Sequence, residues 1–210
     1  MKNNPYTTEQ ENFWAGNFGD EYIARNQSDQ LLASNLDFFS KALKGTKGIQ
    51  NCIEFGANIG MNLRALQLLF PHVHAHAIEI NPSAAEQLKL TIPEERIFQT
   101  SILNFEPPMA WDLSLIKGVL IHINPDALPR VYEKLVQSTQ RYLLVAEYYS
   151  PSPVAIPYRG HLDRLFKRDF AGEIMAQHPE MELIDYGFAY RHDPNFPQDD
   201  INWFLMKKNK

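Results

Sequence analysis

Two carboxylates and two glycines are spaced as in a nucleotide-type ligand site. Residues 52–62 read Cys-Ile-Glu-Phe-Gly-Ala-Asn-Ile-Gly-Met-Asn: a short apolar run, a glycine turn and a helix start. Gly56 lets the backbone turn tightly and approach a ligand, and Gly60 permits close packing at the helix entry. The start of that helix offers free N–H groups and positive dipole character to an anionic ligand group. Glu54, at the end of the apolar run, can accept hydrogen bonds from an ammonium or from ordered backbone amides. Glu79 closes the next apolar run, 19 residues after Gly60. An acid so placed, at the end of the following strand, can bind a ribose diol.

Two cofactor classes use such a turn. Dinucleotides favour a G-x-G-x-x-G loop that accommodates a pyrophosphate. Here the pattern is Gly56-x-x-x-Gly60, with Asn58 in place of a middle glycine. Asn reaches left-handed backbone conformations more readily than most residues. Glu54 would repel a pyrophosphate but favour the amino group of an amino-acid moiety. The residues therefore point to S-adenosyl-L-methionine, with S-adenosyl-L-homocysteine as product, rather than to NAD.

Further candidates lie elsewhere in the chain. His122 titrates near neutral pH when unperturbed and can take a proton from an acceptor; it can equally cap a helix or bond backbone before Asn124-Pro125. Tyr22, Arg25 and Asn26, at i, i+3 and i+4, share one helical face. If that segment folds over the cofactor, Arg25 can pair with the methionine carboxylate, with Tyr22 and Asn26 toward the acceptor. Trp14 and Phe18 read as packing residues. Glu147 and Tyr148 end the fifth apolar run, and Tyr158, Arg159, His161 and Arg164 follow a proline-rich loop. Basic groups beside aromatics suit a small anionic acceptor such as a carboxylated sugar. Arg191 and His192 are placed to reach the same mouth. His72, His74 and His76 alternate as on one strand face, but at the end opposite the expected site, so no metal is expected.

The elements that must position these groups are legible in outline. Residues 9–26 read as helix, turn, helix, interrupted at Gly16 and Gly19. Residues 30–43 carry apolar positions at helical spacing. Beyond residue 48, short apolar runs at 52–55, 75–80, 96–99, 113–116 and 142–147 alternate with helical patterns at 61–70, 82–90 and 125–139. That alternation reads as βαβ units and a parallel sheet. A helix is expected over 161–177, then two longer strands at 182–191 and 201–207 joined by a short proline-containing connection. The expected fold is α/β: a Rossmann-like, seven-stranded, mostly parallel sheet with an antiparallel C-terminal hairpin. A helical cap over 1–48 joins a binding domain over 49–210 in one globular unit.

Composition excludes several classes. The 210 residues carry a net charge of −5, with 44% hydrophobic and 21% charged residues, so disorder and coiled coil are not expected. The acidic balance gives no nucleic-acid or anionic-lipid footprint. One cysteine, Cys52, rules out an intrachain disulfide framework. With a polar start to the chain and no long apolar run, the expected location is the cytoplasm, away from membranes. The partner expected is a small-molecule acceptor; the oligomeric state is left open.

Residues 54–60 followed by Glu79 resemble the first two motifs of class I S-adenosylmethionine-dependent methyltransferases. The run 111–123, Trp-Asp-Leu-Ser-Leu-Ile-Lys-Gly-Val-Leu-Ile-His-Ile, resembles their fourth-strand motif, and the C-terminal hairpin extends the likeness. Residues 13–26, Phe-Trp-Ala-Gly-Asn-Phe-Gly-Asp-Glu-Tyr-Ile-Ala-Arg-Asn, resemble the opening of methylases associated with pseudaminic acid biosynthesis. The resemblance implies that Glu54, Gly56, Ala57, Asn58 and Gly60 cradle the methionine and ribose, and that Glu79 holds the ribose hydroxyls with Ile80 against adenine. Ser101 and Ile102 would meet the adenine amino group, where many relatives carry an acid, and Lys117 and Gly118 would lie beside the reactive methyl. His122, Lys117 and Tyr22 are then the candidate catalytic groups. The implied activity is methyl transfer to an oxygen or nitrogen of a small polar acceptor, an acidic or nucleotide-linked sugar by the family's association. An NAD-type oxidoreductase, a non-catalytic cofactor-binding partner and a lyase or decarboxylase on the same fold are the alternatives.

Overall fold

The computed structural model describes residues 6–23, 27–158, 160 and 164–209. Two short helices, α1 (Glu9–Ala15) and α2 (Asn17–Ile23), precede α3 (Asp29–Ala42). Then β1 (Asn51–Phe55), α4 (Met61–Leu69), β2 (His74–Glu79), α5 (Pro82–Leu88), β3 (Ile97–Gln99), β4 (Trp111–Lys117), α6 (Leu128–Gln137) and β5 (Thr139–Glu147) alternate. A small ribbon of β6 (Val154–Ala155) and β7 (Phe166–Lys167) follows, and α7 (Phe170–Gln177), β8 (Met181–Ala189) and β9 (Ile201–Lys208) complete the order.

The seven-stranded sheet runs β3-β2-β1-β4-β5-β9-β8. Its first five strands are parallel, and β9 lies antiparallel to both β5 and β8. Strand order reverses at β1, which pairs with β2 on one side and β4 on the other. In an open α/β sheet the crevice beyond the carboxyl ends of the strands at such a reversal is where ligands bind.

Alternation along β1 sends Cys52 into one apolar cluster and Ile53 and Phe55 into the other, as the two-residue period of a strand requires. Phe38, Phe39 and Ala42 of α3 and Leu63 and Leu66 of α4 fill the first cluster. Val131, Tyr132 and Leu135 of α6 and Ile174 of α7 fill the second. Both faces of the sheet are therefore covered, which explains why β4 is buried over six consecutive residues.

The expected helix over 161–177 is corrected. Phe166 and Lys167 pair with Ala155 and Val154, and the helix begins only at Phe170, where Asp169 Oδ1 accepts from Gly172 N at 2.9 Å. The aspartate satisfies a first-turn donor, and that cap sets the start.

Candidate functional site

A cavity of ≈ 680 Å³ opens beyond the carboxyl ends of β1, β2 and β4, with α1, α2 and α3 supplying its other walls. The turn between β1 and α4 forms its floor. Gly56 (φ +76°) and Ala57 both donate to the carbonyl of Ile78, at 2.9 and 3.0 Å, which folds the turn back on β2. A Cβ on Gly56 would lie 2.7 Å from Val119 Cγ2. Asn58 is left-handed at φ 49°, and its backbone N–H donates to Glu79 Oε2 at 2.6 Å. Gly60 caps α4 at φ 86° and does not line the cavity; a Cβ there would meet Leu88 Cδ1 at 2.6 Å, so it serves helix packing.

The two strand-end acids differ. Glu79 lines the cavity and takes two backbone donors, Asn58 N and Asn81 N (2.7 Å); burial raises its pKa while those donors hold it down. Glu54 lies one layer behind the wall. Its Oε1 accepts from Asn62 Nδ2 at 2.6 Å, and its Oε2 is buried with no partner. Burial pushes Glu54 up to about 8, against the Asn62 bond and the Lys117 charge. A buried carboxylate oxygen without a donor is costly, and a cationic or N–H ligand group at the Asn62 wall would relieve it. Asn58 Oδ1 and Ser34 Oγ, on residues of the same wall, are likewise buried without partners.

Lys117 and Gly118 line the cavity at the end of β4. Lys117 Nζ lies 3.5 Å from Asn35 Oδ1 and 5.5 Å from the Phe38 ring centroid. Burial lowers its pKa while Glu54, Asp199 and Glu147 pull it back up. Gly118 sits at φ +68° with open space where a Cβ would project.

His122 is buried on the opposite wall. Its Nδ1 lies 2.6 Å from the carbonyl of Arg164, so the proton sits on Nδ1 and Nε2 keeps its lone pair. Its ring packs against Trp14 and Tyr158, with centroids at 4.7 and 5.2 Å. Desolvation by these neighbours lowers its pKa to about 4, against the Arg164 bond.

Of the remaining expected site residues, Ala57, Ile80, Ser101, Ile102, Tyr22, Tyr148 and Tyr158 all line the cavity. Glu147 and Arg164, expected to contact the acceptor, do not. The Glu147 carboxylate accepts from Val119 N and Leu120 N, both at 2.9 Å, and organises the turn that carries His122. The Arg164 guanidinium pairs with Glu9 at 3.0 Å and lies 5.7 Å from the Phe13 ring centroid, tying α1 to this loop. Arg191 lines the mouth while paired with Asp200; His192 does not line it. Arg25, Asn26, Arg159 and His161 lie outside the described residues. Among the described residues no group of His, Cys, Asp or Glu could hold a metal ion, and no helix is long and apolar enough to cross a membrane.

Several wall residues escape a reading by motif. Ser34 and Asn35 are buried on the inner face of α3, where a pair of polar residues within an apolar stripe was the available signal. Gln198 reaches back from the β8–β9 connection to Asn35 at 3.1 Å. Glu11 comes from α1; the Thr-x-x-Glu capping box that places it is legible at Thr8–Glu11, but its destination is not.

No family model and no curated protein matches the chain. Solved structures do. A Burkholderia thailandensis 1,6-didemethyltoxoflavin N1-methyltransferase, with that compound and S-adenosylhomocysteine bound, superposes with a TM-score of 0.68 at 14% identity, covering 99% of this chain and 93% of that one. A Leishmania major S-adenosylmethionine-dependent methyltransferase gives 0.68 at 15% identity, covering 98% and 88%. A Synechocystis magnesium protoporphyrin IX methyltransferase with bound S-adenosylmethionine gives 0.65 at 12% identity, covering 98% and 100%. At these identities the likeness establishes the fold: this chain has the Rossmann-like fold of class I methyltransferases.

Proposed function

We propose that the chain is an S-adenosylmethionine-dependent methyltransferase acting on an oxygen or nitrogen of a small polar molecule. The observation that carries the reading is the orphaned Glu54 Oε2 behind a left-handed glycine turn, with Glu79 on the neighbouring strand end. One acid suits an amino-acid ammonium and the other a ribose diol, and a nucleoside linked to an amino acid needs both. Structural neighbours with bound S-adenosylmethionine or S-adenosylhomocysteine support the same cofactor.

When bound, the cofactor supplies an electrophilic methyl on sulfur, and the protein supplies position and electrostatics. In this reading Glu54, through the Asn62 wall, and Glu79 hold the two ends of the methionine–ribose unit. Gly56, Ala57 and Asn58 form the floor, Ile80 and Ile102 flank the base, and Gly118 leaves room beside the reactive end next to Lys117. His122, with its lone pair on Nε2, accepts a proton from an acceptor hydroxyl or amine, and Tyr22, Tyr148 and Tyr158 shape the acceptor end. The acidic or nucleotide-linked sugar suggested by residues 13–26 is the narrower acceptor reading. Of the basic residues that favoured it, Arg164 is turned to Glu9, and Arg159 and His161 lie outside the described residues; Arg191, expected at the same mouth, lies on the wall.

Calorimetric titration with S-adenosylmethionine, S-adenosylhomocysteine and NAD in parallel tests the reading. Micromolar affinity for the first two and none for NAD is expected. Binding of NAD alone would overturn it in favour of hydride transfer. Glu79→Ala is expected to abolish cofactor affinity with the far-UV circular dichroism spectrum retained, and to lower Tm because Asn58 N and Asn81 N lose their acceptor.

A further inference from the structure

The order of strand ends along the cavity gives the ligand a direction. Lys117 ends β4, Glu54 lies near the end of β1, Glu79 ends β2, and Ser101 follows β3, these strands being successive neighbours in the sheet. Adjacent strands are about 4.8 Å apart, so an extended ligand crossing their ends passes from Lys117 to Ser101. With the amino-acid part at Glu54 and the ribose at Glu79, the base falls beyond β3.

At that end the polar group best placed from the core, Ser101, is already committed. Its hydroxyl donates to Glu11 Oε1 and accepts from Leu103 N at 3.1 Å. Glu11 is itself buried and lines the cavity. Its other oxygen, Oε2, takes Thr7 N at 2.9 Å, Thr8 N at 2.8 Å and Thr8 Oγ1 at 3.1 Å, which fixes the carboxylate in place. A carboxylate oxygen accepts more than one hydrogen bond, so Oε1 can hold Ser101 and a ligand donor together. A charged acceptor beside a purine calls for an amino group there, and charge-assisted bonds of this kind are the strong ones.

We propose that Glu11, carried in by the N-terminal helix, accepts a hydrogen bond from the exocyclic amino group of the cofactor's adenine. The inference rests on the cofactor reading above and adds a partner from outside the sheet. Recognition of the base and docking of α1 then become one equilibrium, because a ligand that bonds Glu11 favours the docked helix.

The test is calorimetric, on the full chain, with S-adenosylhomocysteine and its analogue bearing hydrogen in place of the 6-amino group. The wild-type protein is expected to prefer S-adenosylhomocysteine by roughly 10- to 100-fold, the range of a lost charged hydrogen bond. Glu11→Gln is expected to weaken S-adenosylhomocysteine alone and bring the two ligands within about threefold of each other. Thr8→Ala loosens the same capping box but keeps the carboxylate; it is expected to weaken both ligands alike and preserve the ratio. A wild-type ratio near one, a wild-type ratio retained in Glu11→Gln, or a ratio lost equally in Thr8→Ala would each overturn the assignment while leaving the cofactor reading intact. Failure of the wild-type protein to bind either compound would instead overturn the cofactor reading, and this inference with it.

Discussion

His122 is held neutral, with its proton on Nδ1 facing the Arg164 carbonyl and its pKa lowered to about 4 by burial. Its Nε2 is therefore unprotonated across the physiological range but weakly basic, so in the proposed role it takes a proton only as the acceptor bonds the methyl, and the acid limb of kcat/KM is expected below pH 5, not near 6.5. His122→Gln is expected to lower turnover by about 10²-fold, the low end for a positioned base because its basicity is reduced, with S-adenosylhomocysteine affinity unchanged by calorimetry. The same ring affects stability. Between pH 6.5 and 4 the unfolded chain binds a proton that the folded chain refuses, so His122 costs stability as pH falls through that window. Glu54 and Glu147 act in the opposite sense. Burial raises them to about 8 and about 7, so the folded state holds protons that the unfolded state has lost. Their contribution is present below about pH 4.5 and is lost as pH rises through 7 to 8. In thermal melts of the ligand-free protein, Glu54→Gln is expected to flatten the fall in Tm between pH 5 and 8.

Among the elements, the α1–α2 pair supplies one wall of the cavity. Among the described residues, polar ties to it include Glu11 to Ser101, Glu9 to Arg164, and Asn81, whose Nδ2 reaches the Trp14 carbonyl at 3.3 Å and Asp20 Oδ1 at 3.1 Å. Gly19 allows this close approach. A Cβ there would lie 2.0 Å from the Trp14 carbonyl oxygen and 2.6 Å from Asn81 Nδ2. Gly19→Ala must therefore lift the pair or strain it, at about 1–3 kcal/mol. Faster amide exchange over residues 8–23, unchanged exchange in β1 and β4, and weaker S-adenosylhomocysteine binding are expected. The helix expected from 161 starts later, because the Asp169 side chain accepts from Gly172 N and the two residues at 166–167 pair in a ribbon. A local cap and a strand partner set the boundary.

For the whole molecule, a ligand that spans the ends of β4, β1, β2 and β3 while bonding α1 draws the cap and sheet together. Binding to the folded state alone stabilises by about 2.7 kcal/mol at a hundredfold excess over Kd. For a chain of this size that is a rise in Tm of roughly 5–10 °C with S-adenosylhomocysteine; an unchanged Tm at saturation would contradict the cofactor reading. The alternation of strands and helices, the glycine turn at Gly56–Gly60 and the acids at the ends of two strands are legible in the order of residues alone. Each is a property of neighbouring residues, expressed through side-chain periodicity and backbone sterics. Which distant groups meet is set by the assembled fold. Glu11 reaches Ser101 across 90 positions, His122 reaches Arg164 across 42, and Gln198 reaches Asn35 across 163. It also turned Glu147 and Arg164, whose residue types suited the acceptor, to organising the His122 turn and tying down α1. Such pairings follow from how the completed sheet stacks its helices and folds its loops over one edge, and no stretch of local pattern carries that information.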